Sequence, residues 1–227
     1  MDLSKHSRSL FLFMLIAFGV LTAGVALAAC GEDDEDGGGA AATSTAGNGI
    51  DRAFVDNMIP HHESAVKMAE IAQTRGQSEF VKDLADDIIR TQNAEISTLR
   101  TVAGNLDDAG VKPKSLGISE QQMGMDHDVS MLQTAKPFDR AFIDMMIPHH
   151  QGAIRMARIE LAKGAGAEAK QLAKQIIAAQ AREIGAMNTH RTGQFGAPSP
   201  AGGVPPQDGS SKGGGGHTGE PMGEHGG

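Results

Sequence analysis

The chain has 227 residues, 40% of them hydrophobic, and a formal charge of -8 from 20 Lys and Arg against 28 Asp and Glu. That length suits one folded domain with extensions. The acidic balance argues against a nucleic-acid binder, since little here would neutralise phosphates, and suits attraction of cations; the single Cys excludes an intramolecular disulfide.

Lys5 and Arg8 make a basic start, Leu10 to Leu21 is apolar, and Leu27-Ala28-Ala29-Cys30 follows. The apolar run is too short for a secure transmembrane span and reads as an export signal over 1–29. Its end resembles the bacterial lipoprotein box, in which cleavage falls before the Cys and its thiol is lipidated. The expectation is a protein anchored to a membrane through Cys30, in the cell envelope, at the outer face of the cytoplasmic membrane or in the periplasm. Loss of Asp2, Lys5 and Arg8 with the signal moves the formal charge from -8 to -9. Residues 30–48, with the acidic run Glu32 to Asp36 followed by Gly, Ala, Ser and Thr, read as a solvated tether.

From Asp51 the chain repeats itself. Residues 51–100 and 139–188 align without a gap at an offset of 88, with 23 identities over 50 positions. Each copy carries Asp-Arg-Ala-Phe, then Met-Ile-Pro-His-His, then Met-Ala. Such a repeat is one supersecondary unit that buries its apolar face only against a neighbour. Each copy reads as two helices, in the first about 50–75 and 78–102, with Gly76 and Gly164 at the breaks. Phe54, Met58, Ala65, Met68, Ala69 and Ala72 recur at helical spacing, as do Val81, Leu84, Ile88, Leu99 and Val102. Strand patterning is absent. Two such hairpins predict an all-α, ferritin-like four-helix bundle over 49–192, with a linker at 103–137. The Gly- and Pro-rich tail, 193–227, is expected to be disordered. Pro60 and Pro148 each delete a backbone hydrogen bond; either the helix runs through with a kink, which the phase of Phe54 and Met58 favours, or it begins at the Pro.

At about 100° per residue, His61 and His62 fall on the same stripe as Phe54, Met58, Ala65 and Met68. Buried imidazoles need something to satisfy their nitrogens. On the next helix Leu84, Ile88, Gln92, Glu95 and Leu99 share a stripe, and Glu183 falls between Ile176, Gln180 and Met187. Two roles are open to Glu95 and Glu183: direct ligation of a metal, or a hydrogen bond to a histidine. Asp51 and Asp139 suit helix caps. Asp56 and Asp144 project away from the stripe, toward solvent or a partner chain. The pattern predicts a metal centre drawn from His61, His62, His149, His150, Met58, Met68, Met146, Met156, Glu95 and Glu183. The methionines have core packing as their alternative. Imidazole with thioether favours copper, and thioether favours Cu(I); zinc and iron remain possible. Met123, Met125, His127 and Met131 lie in the linker.

The doubled Asp-Arg-Ala-Phe…Met-Ile-Pro-His-His…Met-Ala pattern, with Gln-x-x-Glu-Ile on the following helix, resembles the "domain of unknown function 305" family. The resemblance covers about 49–190. It implies an exported bacterial protein of the ferritin-like helical class, with copper binding or copper tolerance in some members. It assigns His61-His62 and His149-His150 as the family's pairs, and Met58, Met68, Met146 and Met156 as its helix-face methionines. The function expected is extracytoplasmic copper binding or buffering by ligand exchange, without enzymatic chemistry. The alternatives are a di-metal oxidase, for which the carboxylate set of true ferritins is missing, and a metal-free structural module. The sequence names no protein partner.

Overall fold

The computed structural model describes residues 47–207. The signal segment, Cys30, most of the tether and the tail beyond 207 lie outside the described residues. The described chain is all helical: α1 (Gly49–Arg75), α2 (Glu79–Asp108), a short α3 (Glu120–Met123), a 3-10 turn (Val129–Gln133), α4 (Phe138–Lys163) and α5 (Ala167–Phe195). No described helix is long and apolar enough to cross a membrane.

α1 starts where Asn48 accepts from Ile50 N at 2.7 Å and Asp51 accepts from Asn48 N at 2.5 Å, a reciprocal cap that satisfies amides the helix cannot. It ends at Gly76, and α4 ends at Gly164. Both helices run continuously through their prolines, Pro60 and Pro148. α2 outlasts its predicted end at 102 by six residues, because Leu106 extends the buried stripe of Leu99 and Val102.

α1 packs chiefly on α2, α4 on α5, and α1 on α4. The core falls into two apolar clusters. One joins Phe54, Met58, Leu99, Leu106, Met156 and Ile176. The other joins Met68, Ile88, Phe142, Met146, Ile147 and Ile184. On every long helix the residues between these clusters include polar ones: His61 and His62, Gln92 and Glu95, His149 and His150, Gln180 and Glu183. A polar layer therefore crosses the middle of the bundle.

Two carboxylates tie the repeats together. Asp51 accepts from Ala165 N at 2.9 Å and Gly166 N at 2.7 Å, at the α4–α5 corner. Asp139 accepts from Gln77 N at 2.8 Å and Ser78 N at 2.9 Å, at the α1–α2 corner. The sequence predicts each Asp as a cap for its own helix; the structure sends each to the opposite repeat, with only Asp51 also bonding its own N-terminus. The prediction for Asp144 also changes. It pairs with Arg191, which is buried, through bonds of 2.7 and 2.9 Å. Asp56 is exposed and pairs with Arg52.

The predicted boundary at 192 falls short. α5 continues to Phe195, and residues 196–207 lie back on α4 and α5. Gln151 Nε2 donates to the carbonyls of Ala201 and Gly203, and Arg158 Nη1 to those of Pro205 and Pro206. Arg191 Nη1 donates to those of Ala197 and Pro198. Composition predicted disorder because the segment has little apolar content; side-chain donors on the helices hold its backbone instead.

Beside Asp51 sits Glu160, fully buried, where a proton on its carboxyl group can be shared with the Asp51 carboxylate. Burial, then the Asp51 carboxylate, pushes its pKa up to about 8. An acid whose folded pKa is raised keeps its proton in the native state after the unfolded chain has lost it. Stability from this group is therefore full below about pH 4.5 and falls as pH rises toward about 8. Each tenfold difference in proton affinity between the folded and unfolded chain is worth about 1.4 kcal/mol. Urea unfolding from pH 4.5 to 9 should show this decline, and Glu160→Gln should flatten it. An equal slope in both proteins would contradict the assignment.

Candidate metal centre

The four histidines are at most 2% exposed. Helical register places each pair inward from α1 and α4, and the packing of those helices brings His61 and His149 together. Their ring centroids lie 3.7 Å apart, tilted by 33°. Within each pair the rings diverge, with centroids at 6.1 Å for His61–His62 and 6.4 Å for His149–His150.

Three ring nitrogens have acceptors. His62 Nε2 donates to Glu95 at 2.8 Å and His150 Nε2 to Glu183 at 2.6 Å. His61 Nε2 donates to the Met123 carbonyl at 2.9 Å. Because those partners accept, each of these rings, when neutral, carries its proton on Nε2 and leaves a lone pair on Nδ1. The Nδ1 atoms of all four rings, and Nε2 of His149, are buried without a partner. Five imidazole nitrogens without hydrogen bonds are costly in a protein interior. Burial, reinforced by the neighbouring His62, lowers the His61 pKa to about 3. Burial, with His61 next, also holds His149 well below the ordinary value. These two rings are neutral near pH 7, the state in which imidazole binds metal.

The predicted site residues separate into groups. Glu95 and Glu183 hydrogen-bond the histidines. Met58 and Met156 pack in one apolar cluster, Met68 and Met146 in the other. By sequence spacing, Met58 and Met146 each lie one turn before their His pair. Among the described residues, no three His, Cys, Asp or Glu side chains already stand as a metal cage. In the linker, Met123 and Met125 are half-buried and Met131 is exposed. Gln92 and Gln180, 2% exposed with both amide atoms unpaired, belong to the same layer. The sequence put them on the stripes without a role; their identity in both repeats was the available signal. The Met123 carbonyl, a backbone group, left no side-chain signal.

Residues 51–191 match the family described as Domain of unknown function (DUF305). The chain belongs to the DUF305 family. No curated protein matches this DUF305 chain. Among solved structures it is similar to CopM in the Cu(I)-bound form, at 33% identity over 64% of this chain and 97% of that one, with a TM-score of 0.54. CopM in an Ag-bound form matches at 32% identity over 64% and 96%, with a TM-score of 0.54. A DUF305 protein from Streptomyces coelicolor, described as secreted, matches at 28% identity over 66% and 96%, with a TM-score of 0.56. The all-helical architecture and the suspected family are thereby established.

Proposed function

We propose that this DUF305 protein is an extracytoplasmic, lipid-anchored binder of a soft cation, Cu(I) first, which it holds and releases by ligand exchange. The observation that carries the reading is the buried set of unpartnered imidazole nitrogens on His61, His62, His149 and His150. A metal ion would satisfy lone pairs that the interior leaves bare, and imidazole with thioether suits copper. Copper- and silver-bound CopM adds support by similarity. Met58 and Met146, a turn from the histidines, are the thioethers best placed by sequence to join, with Met68 and Met156 beyond them. Glu95 and Glu183 then orient His62 and His150, the arrangement in which a carboxylate fixes a ligating ring. No residue set for turnover of a substrate is required. Cys30, as the lipidated residue, would keep the protein at the membrane surface.

The test is metal loading of the mature chain with Cu(I) under reductant, Cu(II), Zn(II) and Fe(II), followed by desalting and elemental analysis. Stoichiometric Cu(I), lost when the four histidines are replaced in a folded protein, is the expected result. A folded wild type that keeps no metal would leave the metal-free module. Retained iron alone, with oxygen consumption, would point to the oxidase. Glu95→Gln and Glu183→Gln should each weaken Cu(I) binding roughly 10- to 100-fold, measured by competition with a chromophoric chelator.

A further inference from the structure

The linker between α2 and α4 has no counterpart in the repeat, yet it reaches the polar layer through α3. Ser119 and Gln122 cap that short helix reciprocally, at 3.0 and 3.2 Å. The segment then lies backbone to backbone on α4. A Cβ on Gly152 would collide with the Met123 carbonyl group, and one on Gly124, whose φ is 71°, would collide with Pro148. Arg155 Nη1 donates to the Gln122 carbonyl at 3.1 Å. The first repeat carries Ser64 where the second has Gly152, and Lys67 where it has Arg155. The seat for the segment is thus built on one helix only. Its product is the bond from His61 Nε2 to Met123, while His149, the repeat partner of His61, has no hydrogen bond at either nitrogen.

We infer that the Met123 carbonyl, seated by Gly152, Gly124 and Arg155, is a positioning group of the metal centre: it holds His61 as the Nε2–H tautomer and reserves Nδ1 for the metal. The inference rests on the metal-binding reading above. Glu95 and Glu183 act alike on His62 and His150, so three of the four rings offer the same atom. His149 has no such partner and is free to offer either nitrogen. The two repeats are therefore chemically unequal, although their His-His motifs are identical. The linker that separates them creates the difference.

The test uses the mature chain in two steps. Nitrogen-15 NMR of the histidine rings at neutral pH, without metal, reads the His61 tautomer. Cu(I) affinity is then measured by chelator competition. The wild type should show His61 protonated on Nε2. In Gly152→Ala the carbonyl is driven off, so His61 should become a tautomer mixture and Cu(I) affinity should fall roughly 10- to 100-fold, the usual effect of losing an outer-shell partner. Arg155→Ala should shift both readouts in the same direction by less; because Arg155 is not a core residue, it carries the test should Gly152→Ala fail to fold. A His61 proton on Nδ1 in the wild type overturns the inference. So does a folded variant that binds Cu(I) with an unchanged tautomer, or one whose tautomer moves while affinity does not. A wild type with the expected tautomer that binds no copper removes the functional reading itself, a different failure.

Discussion

A His149→Leu protein is expected to be more stable than the wild type without metal and to bind Cu(I) more weakly. His149 is 2% exposed and neither ring nitrogen has a partner. A buried polar group left unsatisfied costs about 1–3 kcal/mol, and leucine removes that cost while filling similar space. Denaturant unfolding in the presence of chelator should therefore show a gain of about that size. The same change deletes the least committed ring of the centre, and Cu(I) affinity should fall by more than the roughly 10- to 100-fold expected for the orienting glutamates. The opposite signs are the diagnostic outcome. If the variant loses stability without metal, His149 is held by the fold and is not waiting for a ligand.

Asp51→Ala is expected to be among the most damaging single changes in the bundle. Asp51 is fully buried and accepts from Asn48, Ala165 and Gly166 amides. Burial acts to raise its pKa, but the backbone donors, Ala165 and Asn48 foremost, outweigh that and hold it below the ordinary carboxylate value. Hydrogen bonds to a charged group are worth about 1.5–3 kcal/mol each, and removal strands three amides. A loss of about 3–5 kcal/mol is expected, the range for breaking a buried ionic contact. Asp139→Ala should lose less, since only Gln77 and Ser78 donate to it. Asp51→Ala also removes the charge beside Glu160, so the pH dependence of stability should shrink with it. Urea midpoints at pH 5 and pH 8 check both effects, and equal losses at the two positions would contradict this account.

Much of the fold was legible because it is written twice. The spacing of Phe54, Met58 and Met68, and of Leu84, Ile88 and Leu99, announced inward faces, and repetition at 139–188 made them secure. The burial of His61, His62, His149 and His150 followed from the same helical phase. Three features were hidden for physical reasons. Helical phase says which way Asp51 points but not whose amides it meets; those belong to residues 165 and 166. The hold on residues 197–206 comes from Gln151, Arg158 and Arg191, and from Asn188, whose Nδ2 donates to the Gly202 carbonyl at 2.8 Å; composition does not register such donors. Glu160 stands at a position where the first repeat has Ala72, so the repeat gave no hint of a buried carboxylic acid.

The crossed hold of Asp51 and Asp139 has the symmetry of a homodimer. Each repeat presents a carboxylate and a helical corner, and each corner receives the other's carboxylate; a surface of that kind is complementary to a second copy of itself. A single helical hairpin of about 50 residues, carrying one Asp and one corner, could already close this bundle as a pair. Joining two such hairpins in one chain adds something the pair lacked. It frees the copies to diverge, and it supplies a connecting segment that meets the two unequally: seated on Gly152 and Arg155 of the second repeat, it presents its Met123 carbonyl to His61 of the first. Ser64 and Gly152 record that divergence at the point where the connection now rests.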